Sequence, residues 1–316
     1  MAPLSAASRV AAAILIMMSM SSASADAAAK GCDRVCLQGH MDRYLDALLA
    51  HDASKLPRAA QFKAIHNGKP AQLEGGLWSE IDNIAFRQYV MDPAAGQVAL
   101  FGVAVEKHKR GTLFVRLVVD GGKLSFSETI AGERTLDGIP GMISPNPLFE
   151  YVLPPQQQRP RQQLITIADS YFEGLERHDG SKVPVSDDCR RFEDGVQTSL
   201  NPVFLPLACN DFGPFTYMDK ISNRLYPIVD VERGLVLGQM VIEVSKPAGP
   251  PSAPPPGTAT ERYTPNPVTG MVMPYSEWRS KPRNTIIHEL FKVVDGKIVE
   301  IQTIRLDRPY DWGGGW

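Results

Sequence analysis

Two stretches of the chain carry the same pattern of apolar and polar positions. Apolar residues at 37, 41, 44, 45 and 48 recur at 164, 168, 171, 172 and 175. The spacing i, i+4, i+7, i+8, i+11 marks one face of an amphipathic helix. Residues 37 to 57 align without gaps on residues 164 to 184, and nine of the 21 positions are identical. Unrelated segments of ordinary composition share about one or two. In both copies the sequence His-Asp-x-Ser-Lys-x-Pro follows the helix, and proline cannot continue it.

The match resumes further on, where Trp78, Ser79, Asp82, Ile84, Arg87 and Tyr89 correspond to Phe215, Thr216, Asp219, Ile221, Arg224 and Tyr226. Each copy then has an Asp-x-x-x-Gly turn leading into an apolar strand, at Asp92 and at Asp230. The final hairpins match as well. Residues 113 to 130 turn at Asp120-Gly121-Gly122, and residues 288 to 304 turn at Asp295-Gly296. Shifts in the offset place about ten extra residues around Pro202 to Gly213. Nearly forty more precede the last hairpin, in a Pro-rich insertion near 246–284. The expected layout is therefore a first domain at 32–137, a Pro-rich linker at 138–159, a second domain at 160–310 and a Trp/Gly tail at 311–316. Each domain is α+β, with one long helix followed by strands in hairpins, a mostly antiparallel sheet.

Residues 1–25 have the form of a secretory signal peptide. Arg9 supplies the positive start, Val10 to Met20 the apolar stretch, and Ala23-Ser24-Ala25 the cleavage site. Eleven residues are too short to span roughly 30 Å of hydrocarbon at about 1.5 Å each, so no stable membrane insertion is expected. The expectation is an exported protein, periplasmic or secreted, cleaved near Ala25. In that setting the four cysteines favour disulfides, and the Pro202 to Gly213 insertion needs a tether. Cys189–Cys209 is the expected bridge, and Cys32–Cys36 then pairs by elimination. A zinc site is the rival; it would have to gather Cys32-x3-Cys36 with two cysteines twenty residues apart, with no histidine at finger spacing beside either pair. The charge is close to balanced, 33 Lys+Arg against 35 Asp+Glu, which argues against a nucleic-acid binder.

In the second half, Cys189-Arg190-Arg191-Phe192-Glu193-Asp194-Gly195-Val196-Gln197-Thr198 is followed by Cys209. Asn223 to Asp230 and Arg233-Gly234-Leu235-Val236 come next. With the duplicated helix–hairpin order, this sequence resembles the nuclear transport factor 2-like superfamily in its SnoaL-like (polyketide cyclase-like) form. Within it, the wording is similar to tandem secreted proteins of fungi and bacteria whose family carries an unknown-function label. Asp194 departs from the asparagine expected there. The resemblance implies two tandem cones, each a long N-terminal helix packed on a curved sheet. It does not imply an activity, because that superfamily holds isomerases, cyclases, dehydratases, hydrolases, lyases and binding modules alike.

Nucleophile elbow, metalloprotease, P-loop and dinucleotide motifs are all absent, so no cofactor and no catalytic metal are expected. The repeated His51-Asp52 and His178-Asp179 suit helix ends and the turns after them, a structural role. Better candidates are polar residues on apolar strand faces that differ between the halves. Glu128 alternates with Leu124, Phe126 and Ile130, and Arg116 on the neighbouring strand is its expected partner. In the second half Gln302 replaces Glu128 and Phe291 replaces Arg116. There Tyr217, Asp219 and His288 are the titratable candidates; Tyr217 and His288 match Glu80 and Leu113 of the first half. Two functions fit. One is a cofactor-independent lyase, isomerase or hydratase acting on a small apolar or aromatic molecule; the other is a non-catalytic small-molecule-binding or protein-interaction module. An open, polar-lined cone favours the first. A cone plugged by Trp78, Phe215 or the tail favours the second.

Overall fold

The computed structural model describes residues 31–132, 142, 144–201, 207–245, 263–265, 272–274 and 282–310. The expected signal peptide, the tail at 311–316 and most of the Pro-rich insertion lie outside the described residues. From Gly31 onward the chain forms one compact unit. Its first half runs α1 (Arg34–Leu49), β1 (Arg58–His66), β2 (Lys69–Pro70), α2 (Leu77–Glu80), β3 (Asn83–Asp92), β4 (Gln97–Glu106), β5 (Lys109–Asp120) and β6 (Lys123–Ala131). After the short α3 (Pro147–Glu150), the second half repeats that order. It comprises α4 (Arg161–Arg177), β7 (Val185–Glu193), β8 (Val196–Gln197), β9 (Lys220–Asp230), β10 (Leu235–Val244), β11 (Tyr263–Pro265), β12 (Val272–Pro274), β13 (Arg283–Val294) and β14 (Lys297–Pro309).

The architecture is α+β, with two six-stranded sheets of matching order, β2-β1-β6-β5-β4-β3 and β8-β7-β14-β13-β10-β9. Within each sheet only one pair is parallel, β1 with β6 and β7 with β14. The predicted apolar face of α1 (Leu37, Met41, Tyr44, Leu45, Leu48) shares a hydrophobic cluster with Val98, Leu100, Leu113 and Val115 of sheet one. Its α4 counterpart (Leu164, Ala168, Tyr171, Phe172, Leu175) clusters with Val236, Met240, Ile287 and Phe291 of sheet two. Duplicated polar residues tie each helix to its sheet. The Tyr89 hydroxyl donates to Asp42 at 2.5 Å, and the Tyr226 hydroxyl donates to Asp169 at 2.5 Å. Asp52 and Asp179 cap the turns after the helices, each accepting from a serine N–H at 2.9 Å.

The sheets pack against each other through the faces that their helices leave free. Ala99, Phe101, Phe114 and Ile130 of sheet one meet Leu235, Leu237, Ile286, Leu290 and Ile304 of sheet two in a third apolar cluster. Sheets in that position are buried on both faces, which is why β4 and β10 read as near-continuous apolar runs rather than alternating ones. The interface has a two-fold character. Arg34, at the start of α1, reaches Asp230 across it at 2.6 Å, and Arg161, at the start of α4, reaches Asp92 at 2.6 Å. Both arginines and both aspartates are duplicates of one another in the sequence.

The strand register corrects one expectation. Arg116 stands opposite Glu128, and Leu290 stands opposite Gln302. The counterpart of Arg116 is thus Leu290 rather than Phe291, and that of His288 is Phe114 rather than Leu113.

Candidate functional site

The five candidate side chains separate into three places. Arg116 and Glu128 do pair, Nε to carboxylate at 2.9 Å, but they point into the contact between the sheets. A register shift between Val118 and Val119 turns the strand after Leu124. Leu124 faces α1, whereas Glu128 shares the opposite face with Ile130. Glu128 there also accepts from Gln239 Nε2 at 2.7 Å and meets His288 Nε2 at 3.0 Å, both from the other half. All three are fully buried, and the His288 ring lies 4.0 Å from its counterpart, Phe114. Burial pushes the Glu128 carboxyl up, but His288, Arg116 and Gln239 outweigh it and hold the group well below the usual carboxylate range. Burial lowers His288 despite Glu128. The arrangement is a neutral imidazole donating to a carboxylate paired with an arginine, closed off from both helix-side layers.

Asp219 is exposed and accepts from the Ser245 N–H and hydroxyl. Its counterpart Asp82 likewise accepts a backbone N–H, from Lys107. Tyr217 is buried in the core under α4, its ring 6.3 Å from Phe215 and 5.7 Å from the Arg283 guanidinium. His51 Nδ1–H donates to the Trp78 carbonyl at 2.7 Å, tying the helix end to α2.

A different group converges between α4 and sheet two. A cavity of about 50 Å³ is lined there by Tyr171, Arg191, Glu193, Phe215, Glu289 and Arg305, among others. β13 alternates, so Ile287, Glu289 and Phe291 face α4 while Ile286, His288 and Leu290 face the other sheet. Glu289 is 5% exposed, and its carboxyl accepts from the Thr303 hydroxyl at 3.0 Å. Burial, reinforced by Glu193, raises it to about 8, outweighing Thr303 and Arg191. The carboxylic acid is therefore mostly protonated at neutral pH.

Arg191 is 2% exposed and fixed from several sides. Its guanidinium donates to Thr198 Oγ1 at 3.0 Å, to the Tyr171 hydroxyl at 3.0 Å and to the Cys209 carbonyl at 3.3 Å, and it meets Glu193 at 3.2 Å. The Phe215 ring covers it at 5.2 Å. The Cys189–Cys209 disulfide is formed, and it holds that carbonyl over the guanidinium. Cys32–Cys36 is bonded as well. Arg305 bridges Glu193 at 2.9 Å and Asp194 at 2.8 Å, and burial leads the forces that raise Asp194 to about 6. Arg283 meets Asp307 at 3.6 Å. Three guanidinia thus balance three carboxylates, with Glu289 as an additional neutral acid.

The first half has none of this. The matching strand positions hold Ala64, Val115 and Ala131 where the second half has Arg191, Glu289 and Arg305. Trp78, 6% exposed, packs edge-on against Tyr44 there. Sequence reasoning passed over Glu289, Arg191, Glu193, Thr303 and Arg305. The signal was present in β13, where Glu289 lies in phase with Ile287 and Phe291.

Residues 157–305 match the family model described as "Domain of unknown function (DUF8021)", a span that covers the second half from just before α4 into β14. No curated protein matches the chain. Among solved structures, a de novo designed protein with a curved β-sheet is 16% identical (TM-score 0.27), covering 31% of this chain and 87% of its own. The designed NTF2-fold protein NT-9 is 13% identical (TM-score 0.24), covering 31% and 85%. A candidate polyketide cyclase from Xanthomonas campestris pv. campestris is also 13% identical (TM-score 0.25), covering 46% and 90%.

Proposed function

We propose that this is an exported protein built as two nuclear transport factor 2-like cones, of which the second is the functional one. Its cavity holds a small uncharged molecule, or the small polar head of a larger one, and Glu289 exchanges a proton with it without a cofactor. The observation that carries this reading is a buried carboxyl raised to about 8, facing a cavity, at a position occupied by Val115 in the other half. A carboxylic acid poised near neutral pH is an efficient proton donor, and its conjugate base an efficient acceptor. The balanced arginines and carboxylates around it leave no charge for an ionic ligand to neutralise. A volume of about 50 Å³ is far below the roughly 300 Å³ of pockets for drug-sized ligands. The reaction class is accordingly a lyase, isomerase or hydratase step on a few atoms.

The cover of Phe215 over Arg191 favours a second reading, a non-catalytic binding or interaction module. Two experiments in sequence separate the readings. The mature protein is incubated with an extract of its own culture medium and the products are followed by untargeted mass spectrometry. Binding of each consumed compound is then measured for wild type and Glu289→Gln. Retained binding with turnover lost in Glu289→Gln supports proton transfer. Equal turnover in both removes Glu289 from the chemistry, and binding without turnover in either establishes the binding module.

A further inference from the structure

The N-terminal turn of α1 carries a second group of chemistry-bearing residues, far from the cavity in function and unrelated to it in composition. Cys32 precedes the N-cap Asp33, Cys36 lies in the first turn, and His40 follows one turn later on the same side. The ligand atoms of all three lie within 4.8 Å of one another. His40 is 4% exposed, and among the described residues its buried Nδ1 has no hydrogen-bond partner. A polar nitrogen sealed in this way costs stability unless something binds it, so its retention points to a ligand. Both sulfurs are only half-buried, unlike Cys189 and Cys209, which are 1% exposed. The Cys32–Cys36 bridge is therefore the one a reductant reaches first.

We propose that Cys32, Cys36 and His40 form a redox-gated site for a soft divalent metal of the zinc type, closed in the disulfide state and opened by reduction. A dithiol reductant supplies two electrons and two protons, becoming a disulfide while Cys32–Cys36 becomes two thiols. Metal binding then releases both thiol protons as two metal–sulfur bonds and one metal–nitrogen bond form. Two thiolates and one imidazole suit zinc, and three protein ligands leave its fourth tetrahedral position for water or another donor. The Asp33 carboxylate accepts the Cys36 N–H at 2.8 Å and so fixes the first turn that carries the two cysteines.

The full mature protein, mildly reduced with a dithiol that is then removed, tests this. Alkylation mapping identifies which cysteines are free, circular dichroism reports the fold, and Co²⁺ titration reports thiolate-to-metal charge-transfer absorption. The expected result is one Co²⁺ per reduced chain, none per oxidised chain, displacement by Zn²⁺, and an affinity at least about tenfold weaker in His40→Gln. Three outcomes overturn the proposal. They are no charge-transfer band in protein reduced at Cys32 and Cys36, equal affinity in His40→Gln, and loss of folding on reduction, because the site requires α1 to persist without its bridge.

Discussion

Replacing Glu128 by alanine removes a fully buried carboxylate from between the two sheets. Three donors lose their acceptor together: Arg116 Nε, Gln239 Nε2 and His288 Nε2, at 2.9, 2.7 and 3.0 Å. Gln239 and His288 are fully buried and have no access to water as a substitute. Breaking one side of a buried ion pair costs about 3–5 kcal/mol. At about 2–4 °C per kcal/mol for a chain of this size, melting should fall by roughly 10 °C. The folded carboxyl is held below its unfolded value, so its contribution is complete above about pH 4.5 and disappears as protons bind below that. Calorimetry of wild type and Glu128→Ala at pH 7 and at pH 3 should therefore show a large gap that narrows in acid. An apolar replacement of the whole group, Glu128→Leu with Arg116→Met, Gln239→Leu and His288→Phe, should recover most of the loss, the last change copying Phe114. A Glu128→Ala melting temperature within 2 °C of wild type at pH 7 would refute the reasoning.

Three further outcomes follow from the same structure. Arg34→Ala should destabilise more than Arg161→Ala in urea titrations, by about 1–3 kcal/mol for the former, because Arg34 grips Asp230 through two bonds and is the less exposed of the two. Glu289 ionises more readily unfolded than folded, so wild type should lose stability as pH rises from about 5 to 8. Glu289→Gln should lack that decline, and parallel melting curves for the two would count against a raised carboxyl. Gly174→Ala should cost about 1–3 kcal/mol in thermal melts, since the added methyl group lands 2.8 Å from Phe212 and Val183. Ala47, its counterpart in α1, is already accommodated.

Much of the fold was legible because duplication repeats its signals. Both helices, the Asp-capped turns after them and the Tyr–Asp ties to the sheets stand at matched positions in the two halves. The sheet-to-sheet interface was not legible. A strand buried on both faces loses the alternation that distinguishes inside from outside, as β10 does from Leu235 to Val244. The bulge beside Val119 then reversed the face on which Glu128 falls, and a one-residue error in offset concealed the match of His288 with Phe114. For the site, the principle that a functional group should differ between the halves leads to Glu289 only once the strand register shows which face of β13 meets the cavity. His288 drew attention as the titratable residue of its strand, while its neighbour Glu289 faces the cavity.

The proposed proton transfer requires Glu289 to be a neutral acid at physiological pH. Carboxyl ¹³C NMR of glutamate-labelled protein, with the resonance assigned by its loss in Glu289→Gln, measures this directly. The predicted titration midpoint is near 8; a midpoint in the ordinary glutamate range, about 4.3, would contradict it.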